Sequence, residues 1–300
     1  MNAEVLSQTR MDIYRTITNS IIAAIEAGAE DFVMPWHASG APITKPQNAH
    51  TRMEYHGINV LALWVHAHDR GYQSGYWATY RQWQEVGAQV GKGEKSSTIV
   101  FFKRIEDEAP QDGEKPFNRL FARASHVFNA DQVNGWVPPA DRFIPGDAEV
   151  IESLANFVRF TGADVQWGGT MACYHLVGDY IEMPAKERFL DTAGTNASQG
   201  LGATLLHELV HWSGAKHRLA RFETPTKKQD VPMEELVAEL GAAFLCADLA
   251  VTNEPGPYHA SYIASWLQLL KNDTRAIFTA SRLANQAAMY LHELASAGEW

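Results

Sequence analysis

The sequence lacks the features that mark secreted, membrane-spanning or strongly basic proteins. Only two of its 300 residues are cysteines, and the apolar surroundings of Cys173 and Cys246 favour buried thiols over a disulfide. No apolar run approaches the roughly 18 residues that a membrane-spanning helix requires. The first ten residues, MNAEVLSQTR, lack the apolar core of a signal peptide. These absences predict a soluble, cytoplasmic protein with no membrane partner.

An excess of basic residues is also absent. The chain has 25 Lys and Arg against 35 Asp and Glu, which gives a formal net charge of −10. The acidity is uneven, because residues 1–125 have 13 basic and 14 acidic side chains while residues 126–300 have 12 and 21. An acidic total does not exclude nucleic-acid binding, since binding depends on the local surface.

The sequence does contain a metal-binding motif. Residues 203–214, ATLLHELVHWSG, place His207, Glu208 and His211 in the pattern H-E-x-x-H. A spacing of four puts both imidazoles on one face of a helix, where they can occupy two corners of a tetrahedral Zn²⁺ site. Glu208 follows the first ligand, so its carboxylate could act as a catalytic base. The apolar residues around the motif and Gly214 after it support a buried helix and argue against a chance match.

A third ligand is expected from the next helical segment. Residues 233–249, MEELVAELGAAFLCADL, carry Glu234, Glu235 and Glu239. We rank Glu235 first as ligand, then Glu239, then Glu234. Glu235 and Glu239 share a face, as a ligand and a carboxylate that holds a ligand histidine through its other ring N–H would do. Zinc is the expected cofactor, and Mn²⁺ or Co²⁺ could use the same ligands.

Periodicity and turn residues predict an α+β protein of two domains. The proposed bounds are residues 1–137 for the first domain, 138–147 for a linker rich in Pro and Gly, and 148–300 for the second. In the first domain we expect helices at 9–27, 59–70 and within 77–89, and paired strands at 97–103 and 119–129 joined by an acidic turn at 106–115. In the second we expect helices at 148–161, 196–214, 233–249, 258–272 and 273–297, a hairpin at 165–184 that turns at Gly178-Asp179, and a loop at 219–231.

Aromatic residues interleave with cations in the first domain. Aromatic faces stack on the bases of single strands, while cations follow the phosphates. Gly91 and Gly93 flank Lys92, which suggests a tight loop that presents cations. Aromatics at helical spacing more often form a core, so composition alone does not settle the function of this segment. The candidate contacts for single-stranded DNA are Tyr55, Trp77, Tyr80, Arg81, Lys92 and Lys95.

The two halves together resemble a known family. Segments that include MPW, YHGINVLALW and YWATYRQWQEVGAQVGKGEKSSTIVFF resemble the single-stranded-DNA-binding domain of ArdC-type antirestriction proteins and of the related TraC-type plasmid primases. LLHELVHWSGAKHRL, EELVAELGAAFL and HASYIASWLQLLKNDTRAIFTAS resemble the zincin-like metallopeptidase domain of that family. The resemblance implies protection of incoming plasmid DNA from host restriction during conjugation. It carries over His207, Glu208, His211 and Glu235 as the metal site and His259 as a possible electrophilic partner of the metal, with a capping or packing histidine as the alternative.

Four functions compete at this point. The preferred one is a DNA-binding antirestriction protein whose zinc domain is structural or regulatory. The second is a zinc metalloprotease, brought to DNA by the first domain, that cleaves restriction enzyme subunits or other DNA-bound proteins. An acidic DNA mimic would use the charge of the second half, but the aromatic and cationic first half disfavours it. A priming polymerase is weaker still, because no Asp/Glu triad for nucleotide-bound Mg²⁺ is evident.

Overall fold

The computed structural model describes residues 3–29, 34, 36–37, 44–106, 118–139, 146–192, 196–222, 231–251 and 259–298. The chain forms two compact units, residues 1–21 with 46–138 and residues 22–45 with 139–300. Both contain helices and strands, which confirms the α+β class. Residues 22–45 make their contacts in the second unit although the predicted first domain includes them, and the domain bounds themselves stay a prediction. None of the described helices is long and apolar enough to cross a membrane.

The first unit is built on a four-stranded sheet with the strand order β1-β2-β5-β4. The long strands β4 and β5 pair antiparallel from Ser97 opposite Val127 to Glu106 opposite Asn118, which confirms the predicted strand pair. The predicted acidic turn between them lies almost entirely outside the described residues. A small second sheet pairs β3 with β6. The elements are α1 (Ala3–Gly28), β1 (Gln47–Asn48), α2 (Ile58–Arg70), β2 (Tyr76–Ala78), α3 (Tyr80–Glu85), β3 (Gln89–Val90), β4 (Ser97–Glu106), β5 (Asn118–Asn129) and β6 (Val133–Asn134).

The second unit packs helices beside a three-stranded sheet of order β7-β9-β8. The predicted hairpin is formed by β8 and β9, whereas β7 pairs in parallel with β9 and was not predicted as a strand of its own. Asp179, in the turn, has φ 54°, the left-handed conformation that Asp tolerates better than most residues. The elements are α4 (Asp147–Thr161), β7 (Asp164–Gly169), β8 (Cys173–His175), β9 (Tyr180–Pro184), α5 (Ala197–Ser213), α6 (Val231–Leu249), α7 (His259–Asn272) and α8 (Ala276–Ala297).

Helix α6 forms the centre of the second unit. Every residue from Leu236 to Cys246 is buried, so the helix is enclosed on all sides over three turns. Gly241 lets α5 come close, because a Cβ at this position would lie 2.8 Å from Cγ2 of Val210. This close approach brings the histidines of α5 to the glutamates of α6. Cys246, on the same helix, is a buried free thiol, and Cys173 is a free thiol that is half-buried.

Candidate metal centre

Three side chains from α5 and α6 converge on one point. His207, His211 and Glu235 each offer one ligand atom, and these atoms lie within 4.8 Å of one another. The Nε2 atoms of the two histidines are 3.2 Å apart, and each lies 3.7 Å from a carboxylate oxygen of Glu235. A tetrahedral ion with bonds of about 2.0–2.1 Å separates neighbouring ligand atoms by about 3.3 Å. The arrangement therefore fits a small divalent cation after shifts of a few tenths of an ångström.

The three glutamates of α6 occupy different places around this point. Glu235 faces the Nε2 atoms of both histidines. Glu239 and Glu234 instead lie behind the rings, with Glu239 Oε2 3.8 Å from Nδ1 of His207 and Glu234 Oε1 3.2 Å from Nδ1 of His211. This geometry supports Glu235 as third ligand over the other two, and it gives each histidine a carboxylate on the far side of its ring.

Electrostatics make the centre attractive to cations. Burial alone would lower the pKa of His211, but its hydrogen bond to Glu234 and the negative charges of Glu208, Glu234 and Glu235 raise that pKa to about 9. Burial would raise the pKa of Glu235, yet the interactions with His207 and His211 hold it below its usual value. The carboxylate of Glu235 is therefore ionised at neutral pH, and a bound cation would take the place of the proton on His211.

Arg221 is a member of this network that the sequence did not reveal. Its guanidinium donates to both oxygens of Glu234, over 2.9 Å to Oε1 and 3.1 Å to Oε2, and it also contacts the Val210 carbonyl. Burial would raise the pKa of Glu234, but the hydrogen bonds from His211 and Arg221 lower it. Arg221 follows the end of α5 in a segment without periodicity, so no local pattern indicated its role.

Glu208, the acid of the motif, contacts the three-stranded sheet. Its side chain is 7% exposed, and Oε2 accepts a hydrogen bond of 2.9 Å from the backbone N–H of Tyr174. Tyr174 lies on β8, an outer strand of its sheet. The carboxylate thus links the helix that carries the histidines to an outer strand of the described sheet.

Tyr262 is a second residue that the sequence did not reveal. Burial raises the pKa of its hydroxyl, and the negative charges of Glu235 and Glu208 raise it further. The hydroxyl therefore keeps its proton at neutral pH and can donate a hydrogen bond. His259, the residue predicted for such a role, begins α7, but its side chain lies outside the described residues. The role predicted for His259 therefore stays a prediction.

Two of the predicted DNA contacts belong to the interior of the first unit. Tyr55 is 8% exposed and Trp77 is 1% exposed, so neither ring has a face for a base in this conformation. The Tyr55 hydroxyl accepts a hydrogen bond from Asn48 and donates one to the Trp77 carbonyl. Burial, the main cause, raises the pKa of Tyr55 to about 12. Composition could not separate these aromatics from exposed ones, and we remove them from the set of candidate contacts.

The other four predicted contacts lie on the surface. Tyr80 is 45% exposed, and both Lys92 and Lys95 are exposed. Arg81 is exposed and pairs with Glu85 over 2.9 Å. A cleft of about 520 Å³ opens between Tyr80 and the glycine-flanked loop, and its lining includes Tyr80, Gln89, Lys92, Glu94, Phe128 and Asn134.

Phe101 and Phe102 add two exposed aromatic rings to this unit that were not among the predicted DNA contacts. They are 53% and 43% exposed on β4. The sequence did indicate that at least one of these rings lies outside the core, because consecutive residues of a strand point to opposite faces. Two adjacent phenylalanines therefore cannot both enter the same core.

Comparison with known families divides the chain in the same way as the motifs. Residues 11–128 match the family described as the N-terminal domain of anti-restriction factor ArdC, and residues 152–283 match a family of zincin-like metallopeptidases. The chain is 44% identical to the uncharacterized protein y4eC of Sinorhizobium fredii over 299 residues, which cover 97% of this chain and 95% of that protein. It is 29% identical to the DNA primase TraC of Escherichia coli, but it spans only 26% of that primase.

Solved structures extend these similarities to three dimensions. The metal-free crystal structure of the antirestriction protein ArdC from plasmid R388 matches with a TM-score of 0.78 and 40% identity, over 95% of this chain and 98% of that one. Its Mn(II)-bound structure matches with a TM-score of 0.74 and 38% identity, over 94% and 98% of the two chains.

Proposed function

Since the chain belongs to the ArdC family of antirestriction proteins, we propose that it binds single-stranded DNA and protects incoming plasmid DNA from host restriction during conjugation. The observation that carries this proposal is the similarity to ArdC of plasmid R388, because it covers both units at 40% identity. The match of residues 11–128 to the N-terminal domain of that family supports a role in DNA binding for the first unit, which contains most of these residues. The proposed setting is the cytoplasm of the recipient cell.

The surface that we assign to DNA is the cleft beside Tyr80. An exposed tyrosine ring offers a face for an unpaired base, and Lys92 on the adjacent loop offers a charge for a phosphate. Gly93 has φ 89°, a conformation that side chains rarely adopt, so the loop that carries Lys92 depends on glycine. Lys95, Arg81 and the exposed rings of β4 are further candidate contacts. A duplex hides the faces of its bases, so this surface favours single strands.

The second unit, in this proposal, holds one divalent cation with His207, His211 and Glu235. The zincin-like family and the Mn(II)-bound relative indicate a divalent metal, and zinc, manganese and cobalt all suit these ligands. When bound, such an ion supplies Lewis acidity. Glu239 and Glu234 orient the two rings from behind, Glu208 can accept a proton on its carboxylate, and Tyr262 can donate a hydrogen bond from its hydroxyl.

A second candidate function is a metallopeptidase brought to its target by DNA. The edge strand β8 favours this candidate, because Tyr174 on that strand donates to Glu208 and the strand lies at one side of the sheet. An extended peptide could pair with such an edge and place its backbone near Glu208. The substrates proposed for this activity are restriction enzyme subunits or other DNA-bound proteins.

A restriction-protection assay in cells tests the proposed function and separates the two candidates. Unmodified plasmid DNA enters a restricting strain by conjugation, and the yield of transconjugants is compared between wild-type protein, Tyr80→Ala/Lys92→Ala and Glu208→Gln. We expect the first variant to lose protection and Glu208→Gln to keep it. A matched control is Trp167→Ala/Lys186→Ala, which removes a similar pair from the second unit, where Nζ of Lys186 lies 4.9 Å above the Trp167 ring.

Two results of this assay would contradict the proposed function. Loss of protection in Glu208→Gln, with metal and DNA binding intact, would make the metallopeptidase the working activity. Full protection by Tyr80→Ala/Lys92→Ala would contradict the assignment of DNA binding to the cleft.

A further inference from the structure

A short segment far from the metal motif in sequence contacts the carboxylate behind His207. The indole Nε1 of Trp36 lies 3.0 Å from Oε1 of Glu239, and Nε2 of His37 lies 2.8 Å from the same oxygen. Trp36 is fully buried, His37 is 7% exposed and Glu239 is 2% exposed. All three residues belong to the second unit.

The backbone fixes which way these hydrogen bonds run. Nδ1 of His37 lies 2.9 Å from the backbone N of Met34, which can only donate. Nδ1 is therefore the acceptor, and the ring in its neutral form has its proton on Nε2, directed at Glu239. The indole N–H of Trp36 is also a donor and never an acceptor. Glu239 Oε1 thus receives two neutral N–H groups, which compensate a buried carboxylate for the water that it has lost.

The other oxygen of Glu239 faces the metal centre. Oε2 lies 3.8 Å from Nδ1 of His207, so a small rotation of the ring would complete a hydrogen bond. A proton on Nδ1 leaves the lone pair of Nε2 for the cation, at the point where His211 and Glu235 also converge. Fixing Oε1 with two donors therefore fixes the direction of Oε2 and, through it, the orientation of His207.

The groups that hold the two carboxylates behind the ligand histidines differ in charge. Glu234, behind His211, is held by the guanidinium of Arg221, which is a cation. Glu239, behind His207, accepts from the uncharged N–H groups of Trp36 and His37. A carboxylate behind a ligand histidine fixes the tautomer and the orientation of its ring.

We propose that Trp36 and His37 are positioning residues of the metal centre, which act through Glu239 to orient His207 and raise its affinity for the cation. The inference rests on the proposed assignment of His207, His211 and Glu235 as ligands. It also gives Trp36 and His37 a role in the second unit, although both residues lie in the part of the chain that matches the N-terminal domain of anti-restriction factor ArdC.

The test measures metal affinity in the full-length protein. Purified metal-free variants are titrated with Zn²⁺ and Mn²⁺ against a chelating indicator, and the visible spectrum of the Co²⁺-loaded protein reports the geometry around the ion. Trp36→Phe keeps the ring and removes the N–H, and we expect its Kd to rise about 10-fold, since loss of such an outer contact costs about 10–100-fold. His37→Ala should raise Kd by a similar factor, and His37→Gln, which keeps a donor, should recover part of the loss.

A matched control distinguishes positioning from packing. Trp266 is another buried tryptophan of the second unit, and its indole N–H has no hydrogen-bond partner among the described residues. Trp266→Phe makes the same chemical change without touching Glu239, so its Kd and Co²⁺ spectrum should match those of the wild type. Equal changes in Trp36→Phe and Trp266→Phe, or no change in either, would overturn the proposal.

A further variant separates failure of this inference from failure of the metal assignment. Glu235→Ala should weaken binding far more than Trp36→Phe does. If Glu235→Ala leaves Kd unchanged, the proposed ligand set is wrong and the inference falls with it. If Glu235→Ala abolishes binding while Trp36→Phe and His37→Ala bind as tightly as the wild type, the ligand set stands and the positioning role is excluded.

Discussion

At the scale of single residues, the chemistry of the second unit depends on how each buried charge is compensated. Three glutamates of α6 have different partners. Glu234 contacts Arg221 and His211, and Glu235 faces both His207 and His211. Glu239 accepts hydrogen bonds from Trp36 and His37. The motif H-E-x-x-H was enough to predict that His207 and His211 would share a helix face. Spacing ranked Glu235 first as the ligand and placed Glu239 on the same face, but it did not reveal the partners that hold Glu234 and Glu239, because Arg221, Trp36 and His37 lie elsewhere in the chain.

Arg221→Met tests the charged support of His211. Both side chains of the Arg221–Glu234 pair are largely buried, at 4% and 17% exposed, so removal of the cation leaves a carboxylate with less compensation. We expect a loss of about 3 kcal/mol in the free energy of unfolding, measured by urea titration of the metal-free protein. Arg221→Met/Glu234→Gln should regain part of this loss because no charge is then left uncompensated. A double variant as unstable as the single one would contradict this explanation.

At the scale of elements, the metal centre depends on the close approach of α5 and α6. The lengths and order of these helices were predictable, because their apolar residues follow helical spacing and Asn196 caps the first of them. Strand β7 was not predicted, since most of its side chains are exposed and Gly168 and Gly169 end it. The contact of Trp36 with Glu239 joins residues 203 positions apart, and no local pattern reports such a pairing.

Gly241→Ala tests the approach of the two helices. Alanine favours a helix by about 1 kcal/mol over glycine. Here, however, its Cβ would lie 2.8 and 3.0 Å from the methyl groups of Val210. We expect overpacking to outweigh the helix preference and destabilise the protein by about 1 kcal/mol. In a Val210→Ala background the same change should be stabilising, because the space is then open. Thermal unfolding of the wild type, the two single variants and the double variant measures these changes in stability. If Gly241→Ala changes the stability in the same direction with Val210 and with Ala at position 210, close packing of the two helices is not the cause.

At the scale of the whole molecule, the proposed functions lie in different units. The candidate DNA surface belongs to residues 46–138 and the metal centre to residues 139–300 together with 22–45. The net charge of −10 belongs largely to the second half, so DNA binding is expected to depend on a local cluster of cations instead of the overall charge. Sequence composition predicted that the aromatic and cationic residues of the DNA surface lie in the first half of the chain. Which of these aromatic side chains are exposed could be learned only from the structure, because Trp77 and Tyr80 lie in the same aromatic segment yet are 1% and 45% exposed.

Removal of the metal should affect one unit and spare the other. A cation at 100 times its Kd stabilises the folded state by about 2.7 kcal/mol, equivalent to a rise of about 5–10 °C in Tm for a unit of this size. We therefore expect a chelator to lower the Tm of the wild type by this amount and to leave its affinity for single-stranded DNA unchanged. The Glu235→Ala variant should show no response to the chelator. A large loss of DNA affinity on chelation would show that DNA binding requires the metal.

The most direct test of the account is the affinity of the full-length protein for DNA, measured by fluorescence anisotropy with a labelled single strand and its duplex over a salt series. We expect tighter binding of the single strand than of the duplex, and a loss of affinity with rising salt. Tyr80→Ala should cost about 1–3 kcal/mol, and Lys92→Ala should reduce the salt slope by about 0.7. Trp167→Ala/Lys186→Ala should bind like the wild type. Equal affinity for strand and duplex, or no effect of Tyr80→Ala and Lys92→Ala, would contradict the central claim.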